Sequence, residues 1–274
     1  MTVQHRPFDA EFAALTQKIS RERGFGCASY KEKCLRRRIA VRMRARGVHT
    51  YRDYAEILDR EPQEYELLLD ALTINVTKLF RNWETFAAIA KDVIPELWPT
   101  NGRHVRCWSA GCASGEEPYS IAILLHREAV RRRDTGALAR VSILGTDIDR
   151  ESLKAAERGM FGEDAFADTP PDIRRKYFTT KSPHSLEPAV KAMVHFERRD
   201  LLHEPAPGGA LDLITCRNVI IYFDRASQES LFARFFDALA PGGFLVLGKV
   251  ETLLGPARNK FVAVNPRERI FRKP

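Results

Sequence analysis

The sequence predicts a doubly wound, mainly parallel α/β sheet with helices on both faces, preceded by an all-helical segment. Two observations carry this prediction. From residue 104 onward, short apolar runs that fit buried strands alternate with longer amphipathic stretches, and this alternation is typical of a parallel sheet. Residues 8–72 show helical spacing of their apolar side chains with only short breaks. We therefore place an all-helical N-terminal domain at 1–74, a linker helix at 75–98 and the sheet domain at 99–274.

The composition permits sizeable hydrophobic cores and argues against two classes of protein. The chain has 274 residues and five cysteines, none of them in a Cys-x-x-Cys pair. Scattered thiols of this kind favour a reducing compartment over a disulfide framework or a metal site. The N-terminus is charged, and no apolar run approaches the roughly 18 residues that span a bilayer. We expect a cytoplasmic protein that holds no metal.

The net charge of +8 is concentrated in one amphipathic helix. Between residues 31 and 46, eight Lys or Arg stand against a single acid, Glu32, and apolar residues recur every four positions. A solvated helix face is the alternative, but the acids that normally interleave such a face are missing from the segment. We therefore expect an acidic partner, either nucleic acid or a protein surface. The arginines predicted to dock it are Arg36, Arg37, Arg38, Arg42, Arg44 and Arg46.

The sheet domain is predicted to open with the strand HVRCWSA at 104–110 and a helix that starts at EEPY. ARVSILGTDID supplies the second strand, and Asp149 at its end is the expected N-cap of a helix that Gly159 closes. Later strands are predicted at MVHFERRD, ALDLITCRN, GGFLVLG, FVAVNP and RIFR. The apolar strands at the end of the chain are close together in sequence, so we expect the sheet to finish with an antiparallel hairpin. Residues 177–197 contain two prolines and no long helix, so they predict a small antiparallel β insertion.

Candidate ligand-binding residues follow the strands, because ligands of open α/β sheets lie at the strands' carboxyl ends. The first such turn is AGCASGEEP, whose small residues, Gly111 among them, let a ligand approach the backbone. Glu116 and Glu117 would repel a pyrophosphate at the start of the following helix and would attract a cation. S-adenosylmethionine carries a sulfonium and an ammonium and therefore fits better than a dinucleotide. The alternative is that both glutamates only favour the helix macrodipole.

The tips of the other strands add polar side chains. Asp147 ends the second strand, where an acid binds ribose hydroxyls in dinucleotide and adenosylmethionine folds. The remaining candidates are Asp200 and Leu201 near an adenine ring, and Arg217, Asn218 and Tyr222 after the next strand. The stretch LAPGGFLVLG adds a helix end, a turn and a strand, a pattern common in adenosylmethionine-dependent methyltransferases.

Taken together, these motifs resemble the chemotaxis receptor methyltransferases, the CheR family, over nearly the whole chain and in the same order. The shared features are the basic N-terminal helix, NVTKLFR, WSAGCASGEEPYSIA, LGTDID, CRNVIIYFD and the Pro-Gly-Gly turn. The resemblance implies a Rossmann-like class I S-adenosylmethionine-dependent methyltransferase fold. It further implies methyl transfer to glutamate side chains on the cytoplasmic coiled coil of chemoreceptors, with S-adenosylhomocysteine as the second product.

The same resemblance implies roles for individual residues. The implied cofactor contacts are Asn75, Thr77, Arg81, Gly111, Glu116 or Glu117 with Glu116 favoured, Asp147, Asp200, Leu201, Arg217 and Asn218. Arg81 and Tyr222 are the hypothesised catalytic pair, which would orient a substrate carboxylate that is already ionised at neutral pH. The chain departs from the family's usual pattern at Leu79, at Asp200 and in GKVE at 248–251.

Two other functions stay open at this point. The basic helix could bind phosphates in a nucleic-acid methyltransferase. A catalytically silent module that binds S-adenosylmethionine and a signalling protein is the second alternative. The favoured hypothesis is a monomer that methylates an acidic, glutamate-bearing receptor helix, without nucleic acid and without direct membrane insertion.

Overall fold

A computed structural model describes residues 7–73, 77–100 and 102–274. The described chain divides into two compact units. The first consists of residues 7–73 with Tyr222–Ser227, and the second of residues 77–221 with Gln228–Pro274. No helix within these ranges is both long and apolar enough to cross a membrane.

The first unit is helical, as predicted. Its helices are α1 (Pro7–Arg23), α2 (Glu32–Ala45), α3 (Tyr51–Arg60) and α4 (Pro62–Leu72). The Thr50 side chain caps α3 by accepting the Asp53 N–H at 3.1 Å. Leu35, Ile39 and Met43, which recur at the predicted spacing along α2, are all buried. This apolar stripe fixes which face of α2 points inward.

Residues 222–227 pack with this helical unit although they follow a strand of the other unit in sequence. The Tyr222 carbonyl accepts the Lys31 N–H at 2.9 Å. Phe223 forms an isolated antiparallel bridge with Tyr30, and the two rings meet edge to face at 5.2 Å. Tyr222 is thereby held by backbone contacts of the helical unit.

The second unit is built on a mainly parallel sheet. The described strands are β1 (Val105–Ala110), β2 (Val141–Asp147), β3 (Met160–Phe161), β4 (His184–Ser185), β5 (Val194–Arg198), β6 (Leu211–Cys216), β7 (Leu239–Leu247), β8 (Val262–Asn265) and β9 (Ile270–Arg272). Seven of them form one sheet in the order β5-β2-β1-β6-β7-β9-β8. The five neighbouring strands β5, β2, β1, β6 and β7 run parallel to one another. β9 runs antiparallel to both β7 and β8. The predicted fold class is confirmed.

Helices pack on this sheet, and their buried apolar side chains form a hydrophobic core together with those of the strands. They are α5 (Trp83–Ala88), α6 (Ile94–Leu97), α7 (Glu116–Arg132), α8 (Arg150–Arg158), α9 (Pro171–Tyr177), α10 (Pro188–Lys191) and α11 (Arg225–Ala238). Asp149 caps α8 by accepting the Glu151 N–H at 2.9 Å, as predicted. The carboxyl ends of β1, β2 and β6 lie side by side, so the turns that follow them can build one site.

The predicted linker helix over 75–98 begins later than expected. Phe80 and Asn82 have φ angles of 55° and 60° in the left-handed region, which a right-handed helix cannot accommodate. The helix therefore starts at Trp83, and a π-helical turn over Ile89–Val93 joins α5 to α6. Pro95 follows shortly after this π-helical turn, within α6.

The predicted insertion over 177–197 also has different limits. The small antiparallel sheet pairs β3 with β4, so it includes residues well before 177. Pro188, one of the two prolines of the predicted insertion, starts the short helix α10. The C-terminal part of the predicted insertion belongs to β5, which pairs in parallel with β2 in the main sheet.

Candidate functional site

The turn between β1 and α7 lies at the centre of the candidate site. Gly111 has a φ of 80°, and its N–H donates to the Thr146 carbonyl at 2.8 Å. A Cβ at this position would lie 2.5 Å from Cγ2 of Val219, so a larger residue would displace the neighbouring turn. Gly115, with a φ of 93°, then leads directly into α7. This geometry places two consecutive glutamates in the first turn of the helix.

Glu116, the first of these glutamates, is a buried carboxylate with hydroxyl partners. It is 6% exposed, and Ser114 Oγ lies 2.9 Å from both of its carboxylate oxygens. The Thr77 side chain also hydrogen-bonds to it. Burial raises the pKa of Glu116, although these hydrogen bonds oppose the shift. No Lys or Arg in the described ranges pairs with it, so its charge is free to attract a cationic ligand.

Glu117, the second glutamate, is engaged by other parts of the protein. Its Oε1 accepts hydrogen bonds from Ser109 Oγ at 2.8 Å and Thr215 Oγ1 at 2.6 Å. Its Oε2 faces a guanidinium nitrogen of Arg217 at 3.5 Å. Glu117 therefore ties the ends of β1 and β6 together and has an internal counterion.

Arg217 connects this carboxylate to the segment that carries Arg81. One guanidinium nitrogen donates to the Arg81 carbonyl at 2.7 Å and to Oδ1 of Asn82 at 3.3 Å. The guanidinium also lies 5.0 Å from the centre of the Phe86 ring. Burial lowers the pKa of Arg217, and the charge of Glu117 opposes that shift. The predicted site residues Glu117, Arg217 and Arg81 are thus joined through the protein's own contacts.

The segment around Arg81 is a strained turn with several tethers. Phe80 and Asn82, which flank Arg81, both have left-handed φ angles, a conformation that costs about 1–3 kcal/mol for each residue other than glycine. The Phe80 N–H donates to Ser120 Oγ at 2.9 Å, and the Asn82 N–H donates to Asp168 Oδ2 at 2.8 Å. Backbone strain held in this way is typical of functional sites. The predicted site residue Asn75 lies outside the described residues.

The turn after β6 is held by a residue that the sequence interpretation did not place in the site. Glu251 is 3% exposed, and its carboxylate accepts the backbone N–H groups of Asn218, Val219, Ile220 and Gly248 at 2.6 to 3.0 Å. Burial raises the pKa of Glu251, and the four hydrogen bonds oppose the shift. The only sequence signal that could have indicated Glu251 as a site residue is its place as a single acid, in GKVE, shortly after an apolar strand.

Asn218, which this turn presents, has one unused polar atom. Its φ is 63°, and its side-chain Oδ1 is buried without a hydrogen-bond donor among the described residues. A buried acceptor left unpaired costs about 1–3 kcal/mol. Such an atom points to a ligand that donates a hydrogen bond.

Asp147 occupies the tip of β2 beside the glycine-rich turn. Its Oδ2 accepts the Ala113 N–H at 2.8 Å, and its Oδ1 accepts the Asp149 N–H at 3.0 Å. Burial raises the pKa of Asp147 against these two bonds. Each carboxylate oxygen keeps a further lone pair for a ligand hydroxyl.

Asp200 and Leu201 follow β5 and shape their own turn. Asp200 Oδ1 accepts the Leu202 N–H at 2.8 Å, and Oδ2 lies 2.8 Å from Nδ1 of His203. The Leu201 carbonyl accepts a hydrogen bond from Arg234 at 2.5 Å. These contacts fix the backbone of the turn, and they leave its predicted role beside an adenine ring as a prediction.

Tyr222, the second predicted catalytic residue, is held in the helical unit by Arg38. The Arg38 guanidinium lies 4.4 Å from the centre of the Tyr222 ring, and it donates to the Leu72 carbonyl. Arg38 is only 5% exposed, and burial lowers its pKa. Arg38 was predicted to dock a partner at the surface, and its burial argues against that role.

Two other arginines of α2, and Arg46 directly after it, have acidic partners within the helical unit. Arg42 donates to both carboxylate oxygens of the buried Glu64, at 3.0 and 2.8 Å. Arg36 pairs with Asp9 at 2.8 Å, and Arg46 pairs with Glu61 at 2.6 Å. The sequence interpretation counted Glu32 as the single acid of this segment, and Glu32 pairs with Arg36 at 2.6 Å. The other partners were missed because they come from α1, from α4 and from the residue before α4.

The remaining basic residues of α2 form an exposed row, which we call the basic stripe: Lys33, Arg37 and Arg44. They lie on one helix face, and Val41 beside them is 48% exposed. In the part of the chain that the structure describes, none of the three pairs with an acid. Arg37 and Arg44 belong to the predicted docking set, and Lys33 extends the same exposed row.

Comparison with known families agrees with both units. Residues 10–73 match the family described as CheR methyltransferase, all-alpha domain, and residues 75–270 match CheR methyltransferase, SAM binding domain. The chain belongs to the CheR methyltransferase family. It is therefore an S-adenosylmethionine-dependent methyltransferase.

Relatives of this CheR chain extend over most of its length. It is 31% identical to a chemotaxis protein methyltransferase of Listeria innocua over 94% of this chain and 95% of that one. It is 33% identical to a chemotaxis protein methyltransferase of Klebsiella aerogenes over 93% of this chain and 87% of the other. It is 35% identical to an uncharacterized 104.1 kDa protein of Rhodobacter capsulatus over 88% of this chain, which spans 25% of that protein.

The residues at the strand tips of this CheR chain fit the cofactor. Glu116 offers buried negative charge to an ammonium group. The unpaired Oδ1 of Asn218 needs a donor, and Asp147 has acceptor capacity left for hydroxyls. The set combines a cation site with acceptors for polar hydrogens, as S-adenosylmethionine requires.

Proposed function

We propose that this methyltransferase esterifies glutamate side chains on acidic, helical cytoplasmic domains of chemoreceptors. The observation that carries the proposal is the basic stripe, because no acid in the described structure pairs with its three charges. Arg42 and Arg46 beside it are neutralised by acids of the same unit. Acids spaced along a partner helix would complement the stripe, and an apolar residue of that helix would cover Val41. The names of the Listeria and Klebsiella relatives support a role in chemotaxis.

The proposed reaction needs no general base. A glutamate carboxylate has a pKa of about 4.3, so it is already ionised and nucleophilic at neutral pH. S-adenosylmethionine, when bound, supplies a methyl group on a cationic sulfur. The task left to the protein is to position the carboxylate and to exclude water, because charge is neutralised during transfer. The engagement of Glu117 and Glu251 by internal donors supports this assignment, since neither carboxylate is left to act as a base.

We assign the roles of the site residues accordingly. Glu116 would hold the ammonium group of the cofactor and Asp147 its ribose hydroxyls. The other proposed cofactor contacts are Asn75, Thr77, Arg81, Gly111, Asp200, Leu201 and Asn218. Glu117 and Arg217, which the resemblance also implied as cofactor contacts, pair with each other and are assigned a positioning role instead. Arg81 and Tyr222 are proposed to orient the substrate carboxylate, with Arg81 as a loose partner because a tight ion pair would stabilise the ground state more than the transition state.

The test is methyl transfer from methyl-labelled S-adenosylmethionine to a panel of receptor cytoplasmic fragments. A carboxyl methyl ester releases labelled methanol in alkali, and we expect that release from a receptor fragment. Label that is stable in alkali, or label on nucleic acid alone, would contradict the proposal. Cofactor binding without labelling of any fragment would also count against it.

The catalytic assignment is tested with two variants of the same protein. Arg81→Ala and Tyr222→Phe are each expected to lower kcat about tenfold or more through poorer orientation of the carboxylate. Affinity for S-adenosylhomocysteine separates this effect from loss of the cofactor. Wild-type turnover in both variants, with unchanged affinity, would remove both residues from the catalytic role.

A further inference from the structure

The geometry points to Glu117 and Arg217 as a positioning pair that holds the Arg81 turn, with neither residue acting through direct contact with the cofactor. Glu117 neutralises Arg217, and Arg217 holds the Arg81 carbonyl and the Asn82 side chain, directly after the Arg81 side chain. This inference rests on the proposed function, because it assigns the pair to placing Arg81 against a substrate carboxylate.

The hydrogen bonds of Glu117 support the first half of this assignment. Two hydroxyls and a guanidinium occupy its carboxylate, whose side chain is 12% exposed. The side chain of Arg217 is 2% exposed, so the pair is shielded from water. A second cation would have to compete with this internal counterion, whereas Glu116 has no such competitor among the described residues.

The contacts of Arg217 support the second half. Its donors reach the Arg81 carbonyl and the Asn82 side chain, and its guanidinium stacks on Phe86 in the helix that follows. These groups lie at the C-terminal end of a turn with two strained residues, Phe80 and Asn82, and such a turn relaxes unless its surroundings hold it. Arg217 thereby sets the direction in which the Arg81 side chain leaves the backbone.

Other tethers of the turn make the expected effect local. The Leu79 N–H donates to the Ala165 carbonyl at 3.0 Å. The side chains of Ser120 and Asp168 accept hydrogen bonds from the N–H groups of Phe80 and Asn82. Loss of the positioning pair should therefore loosen residues 79–82 without unfolding the unit.

The first measurement is amide hydrogen exchange in the free protein, followed by mass spectrometry of the peptide that contains residues 79–82. Glu117→Gln keeps the shape of the side chain but removes the counterion of Arg217. We expect exchange in this peptide to become at least about tenfold faster, while peptides from β1 and β6 keep their protection. Glu128→Gln is the matched control, because Glu128 pairs with Arg131 and Arg132 farther along α7 and should leave residues 79–82 unchanged.

The second measurement asks whether the pair acts through the Arg81 side chain. We expect Glu117→Gln to lower kcat about tenfold or more, with affinity for S-adenosylhomocysteine changed by less than about threefold. In an Arg81→Ala background the same substitution should change kcat by less than about twofold, since the group being positioned is gone. A purely structural defect would lower kcat by the same factor in both backgrounds.

Arg217→Lys provides a second variant if Glu117→Gln folds poorly. Lysine keeps the charge opposite Glu117 but cannot donate in the forked geometry to both groups of the turn. It should reproduce the faster exchange over residues 79–82.

The outcomes separate this inference from the proposed function. Unchanged exchange over 79–82 in both variants overturns the inference, as does a tenfold loss of S-adenosylhomocysteine affinity in Glu117→Gln with kcat intact. If the wild-type protein methylates no receptor fragment, the proposed function fails. The exchange measurement needs no acceptor and still decides whether Glu117 and Arg217 hold the turn.

Discussion

Two runs of like charge, the arginines of α2 and the glutamates that open α7, are divided by the fold in the same way. In α2, Arg42 is paired with the buried Glu64, whereas Arg37 is exposed and meets no acid in the described structure. In α7, Glu117 is paired with Arg217, whereas Glu116 is buried with no Lys or Arg partner among the described residues. The paired members support the structure, and the unpaired ones are the candidates to meet a ligand or a partner.

This comparison shows that sequence proximity is a poor guide to the role of a charge. Helical geometry turns consecutive residues to different surroundings, so one faces a counterion and its neighbour does not.

The largest effect is expected from removing the acid beneath α2. Glu64→Ala would leave Arg42 without its partner and the buried Tyr54 hydroxyl without its acceptor at 2.8 Å. We expect the free energy of unfolding to fall by about 3 kcal/mol, as is typical when one member of a buried pair is removed. Denaturant unfolding measures this change.

Glu66→Ala on the exposed face of α4 is the matched control and should change the free energy of unfolding by less than about 0.5 kcal/mol. Equal effects of the two substitutions would show that the Arg42 pair adds nothing beyond an exposed glutamate.

The pH dependence should have opposite signs for paired and unpaired acids. Burial alone would raise the pKa of Glu64, but Arg42 and Tyr54 outweigh burial and lower it. Its contribution to stability is therefore present above the unfolded-state pKa and is lost as the pH falls through the lowered folded-state pKa. The pKa of Glu116 is raised, so ionising it costs stability as the pH rises from its unfolded-state to its folded-state pKa.

A bound ammonium needs the ionised form of Glu116. Affinity for S-adenosylhomocysteine should therefore fall as the pH drops below the raised pKa of Glu116, by up to about tenfold per pH unit. Calorimetric titrations across the acidic range measure this slope. Glu116→Gln should flatten it, and an unchanged slope in that variant would assign the titration to another group.

The smallest effect is expected at the basic stripe. Joint replacement Arg37→Glu and Arg44→Glu should raise KM for a receptor fragment about fivefold at low salt and less at high salt, because exposed charges are screened. Arg52→Glu on α3 is the matched control outside the stripe. If all three substitutions raise KM alike, net charge and not the stripe guides docking.

Much of the fold and part of the site could be predicted from sequence because the signals are local. The helical period of α2 and the cap at Asp149 depend on neighbours in the chain, and both predictions were confirmed. Strand tips collect ligand-binding residues by topology alone, which is why Glu116 and Asp147 could be predicted as candidate site residues.

The rest depends on contacts between distant segments. Glu251 holds a turn 33 residues earlier in the chain, and Glu64 neutralises an arginine 22 residues earlier. The left-handed conformations of Phe80 and Asn82 occur at residues other than glycine, which is the usual sequence signal for a positive φ angle. The linker was therefore predicted as one continuous helix. These features follow from tertiary pairing, which periodicity and spacing do not report.

The division into paired structural charges and unpaired ligand-binding charges is tested most directly at Glu116 and Glu117. The measurement is the affinity of Glu116→Gln and of Glu117→Gln for S-adenosylhomocysteine, determined side by side by calorimetry. The two substitutions are chemically identical and one residue apart. We expect Glu116→Gln to weaken binding by about tenfold or more, as loss of a charge-assisted contact would, and Glu117→Gln by less than about threefold. Equal losses, or a larger loss in Glu117→Gln, would contradict the division of paired and unpaired charges.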